Sequence, residues 1–215
     1  MHPPRPNGPS QTMKSALPMP HKVIFDTDPG VDDATALLLL HRHPEIDLVG
    51  ITTVFGNADI AGTTRNARYL AARFGISAPV AQGAERALNG ARSKPPVHVH
   101  GDNGLGNVDL GGIEPGPLDT RNAPQFIIDM VRQHPGEITL LAVGSMSNLD
   151  MAINLAPDIV PLVKQVVIMG GAFGFAGNNG NVTPVAEANI IGDPDAADIV
   201  FGAGWSVVAI GLDVT

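Results

Sequence analysis

The sequence predicts an α/β protein: a doubly wound, mainly parallel sheet with helices on both faces, Rossmann-like in outline. Three observations carry that expectation. Short apolar runs rich in Val, Ile and Thr recur along the chain, each of strand length. Segments of helical spacing separate them, and such alternation implies parallel strands joined by right-handed crossovers. Polar residues gather directly after the runs, at the edge where an open α/β sheet holds its ligands.

Residues 1–21 come first. They hold Pro3, Pro4, Pro6, Pro9, Pro18 and Pro20 and little that could pack, and they lack the apolar centre of a signal peptide. A disordered tail is expected there, followed by a single α/β domain over 22–215. Val23-Ile24-Phe25 reads as a buried strand, Pro29-Gly30 breaks it, and a helix is expected over 33–43 around Leu37 to Leu40. A second buried strand is expected over 46–54. A helix over 59–74 should stop at Gly75, and a short strand should follow over 79–82. From 83 to 121 the pattern dissolves into Gly, Pro, Asn and His, and a loop of that length is usually functional or mobile. Helical spacing returns over Ala123–Gln133. Strands are expected over 138–143, 163–169 and 207–212, with helices over 148–155 and 195–201 and a Gly- and Asn-rich loop over 170–181.

Composition narrows the classes. A chain of 215 residues can bury one substantial core. A net charge of −8 and a pI near 5.2 argue against nucleic-acid binding. The absence of cysteine excludes disulfides and thiolate metal sites and suits a reducing cytosol. The apolar run around Leu37 to Leu40 falls far short of the roughly 20 residues a membrane span takes. A soluble, cytoplasmic protein without membrane or nucleic-acid partners is expected.

The chemistry concentrates after the first strand. Asp26, Asp28, Asp32 and Asp33 put four carboxylates within eight residues. Asp26 and Asp28 are two apart and face the same side of an extended strand. Asp32 and Asp33 fall where a helix start exposes N–H groups and favours negative charge. One Asp at a helix start is usually only a cap. Four at a strand's carboxyl end repel one another unless a cation or proton intervenes, and a hard ion held by oxygens resolves this: about six ligands for Mg²⁺, about 6–8 for Ca²⁺.

The run Asp26-Thr27-Asp28-Pro29-Gly30-Val31-Asp32-Asp33-Ala34 resembles the signature of the inosine/uridine-preferring nucleoside hydrolases, calcium-dependent N-ribohydrolases of purine and pyrimidine salvage. Further segments agree in order: Thr52-Thr53-Val54-Phe55-Gly56-Asn57, His100-Gly101-Asp102-Asn103-Gly104-Leu105-Gly106, Met169-Gly170-Gly171, and Asn181-Val182-Thr183-Pro184-Val185-Ala186-Glu187-Ala188-Asn189. The likeness runs over 22–215. It implies a ribonucleoside substrate and a Ca²⁺ held by Asp28, Asp33 and the backbone carbonyl of Val143. It also implies that Asp32 is the general base toward a metal-bound water, with Asp26 orienting the ligands. Asn57, Asn181, Glu187 and Asn189 match the positions that hold the ribose hydroxyls. His98 and His100 stand as candidates for the pocket mouth, outside the catalytic set.

Two departures qualify the resemblance. Ala188 stands where the family usually carries phenylalanine, which reshapes that wall. The chain ends at Thr215, before the family's C-terminal third with its further Asp ligand and His. On that basis the 215-residue chain is expected to fold, to be catalytically crippled, and to self-associate as a homo-oligomer. Two alternatives stand beside the hydrolase: a truncated, inactive homologue with a partial metal and ribose site, and a haloacid-dehalogenase-like phosphatase, whose late acidic motif Gly192-Asp193-Pro194-Asp195-Ala196-Ala197-Asp198 echoes. Against the phosphatase, Asp32 and Asp33 would have no role in it.

Overall fold

The computed structural model describes residues 19–91 and 94–215. Most of the expected tail, residues 1–18, lies outside the described residues. Its inner boundary moves: the first strand already starts at His21, whose N–H donates to the Glu45 carbonyl at 2.7 Å. Six strands, β1 (His21–Thr27), β2 (Ile46–Thr53), β3 (Val80–Gln82), β4 (Ile138–Ala142), β5 (Gln165–Met169) and β6 (Val207–Ile210), form one sheet in the order β3-β2-β1-β4-β5-β6. Every pairing is parallel. The chain moves outward from β1 to β3, then returns to the other side of β1 and moves outward through β4 to β6. The direction of winding therefore reverses between β1 and β4, where the loops leaving the strands part and open a crevice.

Seven helices are described: α1 (Val31–Arg42), α2 (Ile60–Phe74), α3 (Val97–His100), α4 (Ala123–Gln133), α5 (Ser147–Leu155), α6 (Ala188–Gly192) and α7 (Pro194–Gly202). Successive residues of a strand face opposite sides, so Ile24 and Phe25 seed two cores. Phe25 packs with Leu37 and Leu40 of α1, Ile51 of β2 and Tyr69 and Leu70 of α2. Ile24 packs on the other side with Phe126 and Ile127 of α4, Leu149 of α5 and Val200 of α7. Helices thus cover both faces, as the alternating pattern predicts.

The Gly75 stop read from the sequence holds at α2, and Asp59, expected as its first residue, is its N-cap. The Asp59 carboxylate accepts the Gly62 N–H at 2.7 Å, and Gly75 ends the helix in the left-handed region at φ 71°. Asp59→Ala should cost about 1 kcal/mol, the usual value of an N-cap, read as a lower urea midpoint at unchanged slope.

Three elements depart from expectation. Within 83–121 the chain forms α3, and Leu118 bridges to Val80 at the sheet edge. A 3₁₀ turn over Pro157–Leu162 shortens the approach to β5. The short helix α6 stands where no element is expected. Its start is secured by Glu187, whose carboxylate accepts the Asn189 and Ile190 N–H groups.

Candidate active site

The crevice at the switch point is built from the loop ends of β1, β2, β4 and β5. On β1, Asp26 is buried, and its Oδ1 accepts the Thr52 hydroxyl and the Asn148 amide at 2.7 Å. Its Oδ2 is buried without a partner. Burial pushes its pKa up to about 7, against the opposing pull of those two hydrogen bonds. Asp28 is also buried. Its Oδ2 accepts the Asn57 N–H at 2.9 Å, and its Oδ1 has no partner. Burial, then the neighbouring Asp33 charge, hold its carboxyl well above the usual range.

Helix α1 supplies the other two carboxylates. Asp33 points inward: Oδ1 accepts the Thr27 hydroxyl at 2.5 Å, and Oδ2 accepts the Gly30 N–H at 2.9 Å and the Asn57 amide at 3.3 Å. Burial raises its pKa too. Asp32, one residue earlier on the helix, turns outward, its side chain 83% exposed. Neighbouring helix positions lie about 100° apart, which is why one Asp is sunk and the other free.

The loops after β4 and β5 complete the walls. The Val143 carbonyl accepts the Asn189 amide at 2.9 Å, and the same amide donates to the Met169 carbonyl at 3.0 Å. Asn189 therefore bridges the ends of β4 and β5. Asn181 Oδ1 accepts the Ala188 N–H at 2.9 Å. Glu187 is buried, and besides capping α6 it accepts the Gly171 N–H at 3.0 Å. Asp32, Asp33, Asn57, Val143, Asn181, Glu187 and Asn189 all line one cavity of about 320 Å³. Asp28 lies in the wall of an adjoining cavity of about 300 Å³, which shares Asn57, Ala188 and Asn189 with the first. The small side chain of Ala188 stands in the wall common to both.

Two further residues belong to this arrangement, His100, expected only at the pocket mouth, and Asn148, not expected at all. His100, at the end of α3, is buried and lines the larger cavity. Its Nδ1 accepts the Val31 N–H at 3.2 Å and lies 3.8 Å from Asp32 Oδ1, so the imidazole sits over the start of α1. The clue in the sequence is its motif, His100 to Gly106; a loop histidine by itself gives none. Asn148, fully buried in the first turn of α5, carries no motif signal at all.

Do these residues fit a cation? Asp28 Oδ1 is an unpartnered buried acceptor, and both Asp28 oxygens lie against glycines. A methyl at Gly144 would come within 2.8 Å of Oδ1, and one at Gly56 would overlap Oδ2. Gly144 directly follows Val143, so the orphan oxygen faces the strand end that carries the expected carbonyl ligand. Among the described residues no three His, Cys, Asp or Glu side chains are grouped to hold a metal ion. The donors that fit are two carboxylates and a main-chain oxygen, an all-oxygen set suited to a hard cation with its remaining positions filled by water or substrate.

A doubly wound parallel sheet whose switch-point crevice is lined by carboxylates and amides defines a ligand-binding α/β protein of the Rossmann-like class. The profile of the inosine-uridine preferring nucleoside hydrolases matches residues 23–215, and the chain belongs to that family. It is 46% identical over 200 residues to the inosine-uridine preferring nucleoside hydrolase of Leishmania major, covering 92% of this chain and 62% of that one. The protein of the same description from Crithidia fasciculata is also 46% identical, over 199 residues, with 92% and 62% covered. Among solved structures, a plant nucleoside hydrolase superposes with a TM-score of 0.85 at 40% identity, covering 90% of this chain and 60% of that one. A purine-preferring ribonucleoside hydrolase from Gardnerella vaginalis gives 0.84 at 37%, covering 90% and 61%. The chain thus spans about three fifths of the length of these relatives. The phosphatase-like echo has a structural role instead: Asp193 caps α7 through the Ala196 N–H and accepts the Ser147 hydroxyl.

Proposed function

We propose that the protein hydrolyses the N-glycosidic bond of ribonucleosides to free base and ribose, with Ca²⁺ as cofactor. The observation that carries this reading is the gathering of Asp28, Asp32 and Asp33 with Asn57, Asn181 and Asn189 around one crevice in a chain of this family. Asp28, Asp33 and the Val143 carbonyl would hold the ion. When bound, it supplies positive charge that polarises a water and lowers its pKa.

Asp32 faces the open cavity and takes the proton from water as its oxygen attacks the anomeric carbon. The glycosidic electron pair leaves with the nucleobase through an oxocarbenium-like transition state, the nucleobase takes up a proton from solvent, and Asp32 returns its own proton to solvent. The amides of Asn57 and Asn181 offer both donors and acceptors to the sugar hydroxyls, and Asn189, whose NH₂ is engaged by the Val143 and Met169 carbonyls, offers its Oδ1 as acceptor. Glu187 already accepts three backbone N–H groups, so it holds the Gly171 and α6 walls of the sugar site and meets a hydroxyl only through its remaining lone pairs. One observation favours a second assignment, Asp28 as proton acceptor: its Oδ1 is buried and unpartnered, whereas Asp32 is open to solvent.

We place the protein in the cytoplasm as a homo-oligomer. The lack of cysteine suits a reducing compartment. No helix among the described residues is long and apolar enough to cross a membrane. The test of function is ribose release from inosine and uridine in millimolar Ca²⁺ against phosphate release from p-nitrophenyl phosphate. In a form extended by a family C-terminal segment, ribose release that stops with chelator is the expected result, with far slower release by the 215-residue chain, and phosphate release alone would overturn the reading. Gly56→Ala, whose methyl would push on the Asp28 carboxylate, should weaken Ca²⁺ binding by about 10–100-fold, measured by calorimetry.

A further inference from the structure

We infer that Asn148 is a positioning residue that sets the Asp28 carboxylate in place without touching it. Asn148 is fully buried, and all its amide capacity toward the sheet is in use. Its Nδ2 donates to Asp26 Oδ1 at 2.7 Å and to the Thr53 carbonyl at 2.9 Å, and its Oδ1 accepts the Ala84 N–H at 2.8 Å. One side chain on the helix after β4 therefore ties the carboxyl ends of β1 and β2 to the chain leaving β3. The fit is close, since a methyl at Gly83 would run into the Asn148 amide.

Two of the three tied points lie a few residues before a site residue. Asp26 precedes Asp28 by two positions, and Thr53 precedes Asn57 by four. Asn57 in turn donates its N–H to Asp28 and its amide to Asp33. The relative height of β1 and β2 thus fixes whether the Asn57 N–H meets the Asp28 carboxylate, and Asn148 fixes that height. Only a planar group with two donors and an acceptor fills this position. An aspartate of the same shape would turn acceptors toward Asp26 and Thr53, breaking both ties and adding charge repulsion.

The measurement is hydrogen exchange of the metal-free protein, with the Asn57 and Ala84 amides read against those of Val166 and Ile168 in β5. The reference strand removes any change in global stability. Asn148→Asp should speed the Asn57 amide relative to β5 by at least about tenfold, as expected for a released buried hydrogen bond. Leu149→Ala, a core truncation on the same helix, should leave that ratio unchanged. Exchanging the partners in Asp26→Asn/Asn148→Asp restores one donor–acceptor pair and should recover part of the protection, a coupling that isolates the Asp26–Asn148 contact from any general loss of stability. Should Asn148→Asp fail to fold, Asn148→Ser removes the reach to Asp26 without adding charge, and the same ratio is read. A ratio equal to wild type in these variants, or equally raised by Leu149→Ala, overturns the assignment. Calcium affinity in Asn148→Asp should also fall by about 10–100-fold. That readout rests on the functional reading above, whereas exchange does not: a wild type that binds no calcium counts against the cation site, and the exchange ratio still decides Asn148.

Discussion

In a catalytically complete form of the protein, Asp32→Asn should lower ribose release by about 10²–10⁴ while leaving calcium affinity nearly unchanged. The expectation follows from how α1 sorts its two acidic residues. Asp33 is sunk toward β1 and engaged on both oxygens, whereas Asp32 is largely exposed and lines the cavity with Asn57 and Asn189. The amide keeps the shape and hydrogen-bonding length of the side chain but cannot accept a proton. Because Asp32 is not among the proposed ligands, calorimetry should give a similar calcium affinity for variant and wild type. The two measurements together separate a lost base from a lost ion. Undiminished kcat on both inosine and uridine would move the proton to the unpartnered Asp28 Oδ1. A parallel loss of rate and calcium affinity would instead place Asp32 among the ligands.

The acidic stretch was legible because its geometry is local. Strand period, a Pro-Gly break and a helix start fix Asp26, Asp28, Asp32 and Asp33 relative to one another within a few residues. Most strands and helices were legible for the same reason, and Ala123–Gln133 agrees end for end. Strand order was not, since nothing in β1 or β4 alone says that they are neighbours; their pairing depends on the path of the whole chain. Helix α6 has five residues and stands on one side chain, Glu187, which the family likeness assigned to sugar binding. His100 shows the limit from another direction. Its contact with the Val31 N–H joins residues 69 apart, so only the fold brings it to the start of α1. Asn148 lies further still from Asp26, 122 residues away, and looks in sequence like any polar residue in a first helical turn.

Asp28→Asn should act in opposite directions with and without calcium. In the metal-free protein the Asp28 carboxylate is buried near Asp33, its Oδ1 unpaired, with Asp32 adding further negative charge. Removing that charge relieves both desolvation and repulsion, and a gain of about 1–2 kcal/mol is expected. The Asn57 N–H needs an acceptor, so the amide oxygen should take the Oδ2 position, leaving the NH₂ where Oδ1 now lies. Two hydrogens would then point at the place proposed for the ion. Wild type at a calcium concentration 100 times its Kd should gain about 2.7 kcal/mol from binding. The variant, with one anionic ligand gone and a donor in its place, should gain almost nothing at the same concentration. Thermal unfolding in chelator and in millimolar calcium reads both effects from one pair of proteins, and the expected curves cross: the variant melts higher without calcium and lower with it. A variant that melts below wild type in chelator and is stabilised equally by calcium would show that Asp28 is a structural carboxylate and that the ion, if bound, sits elsewhere in the crevice.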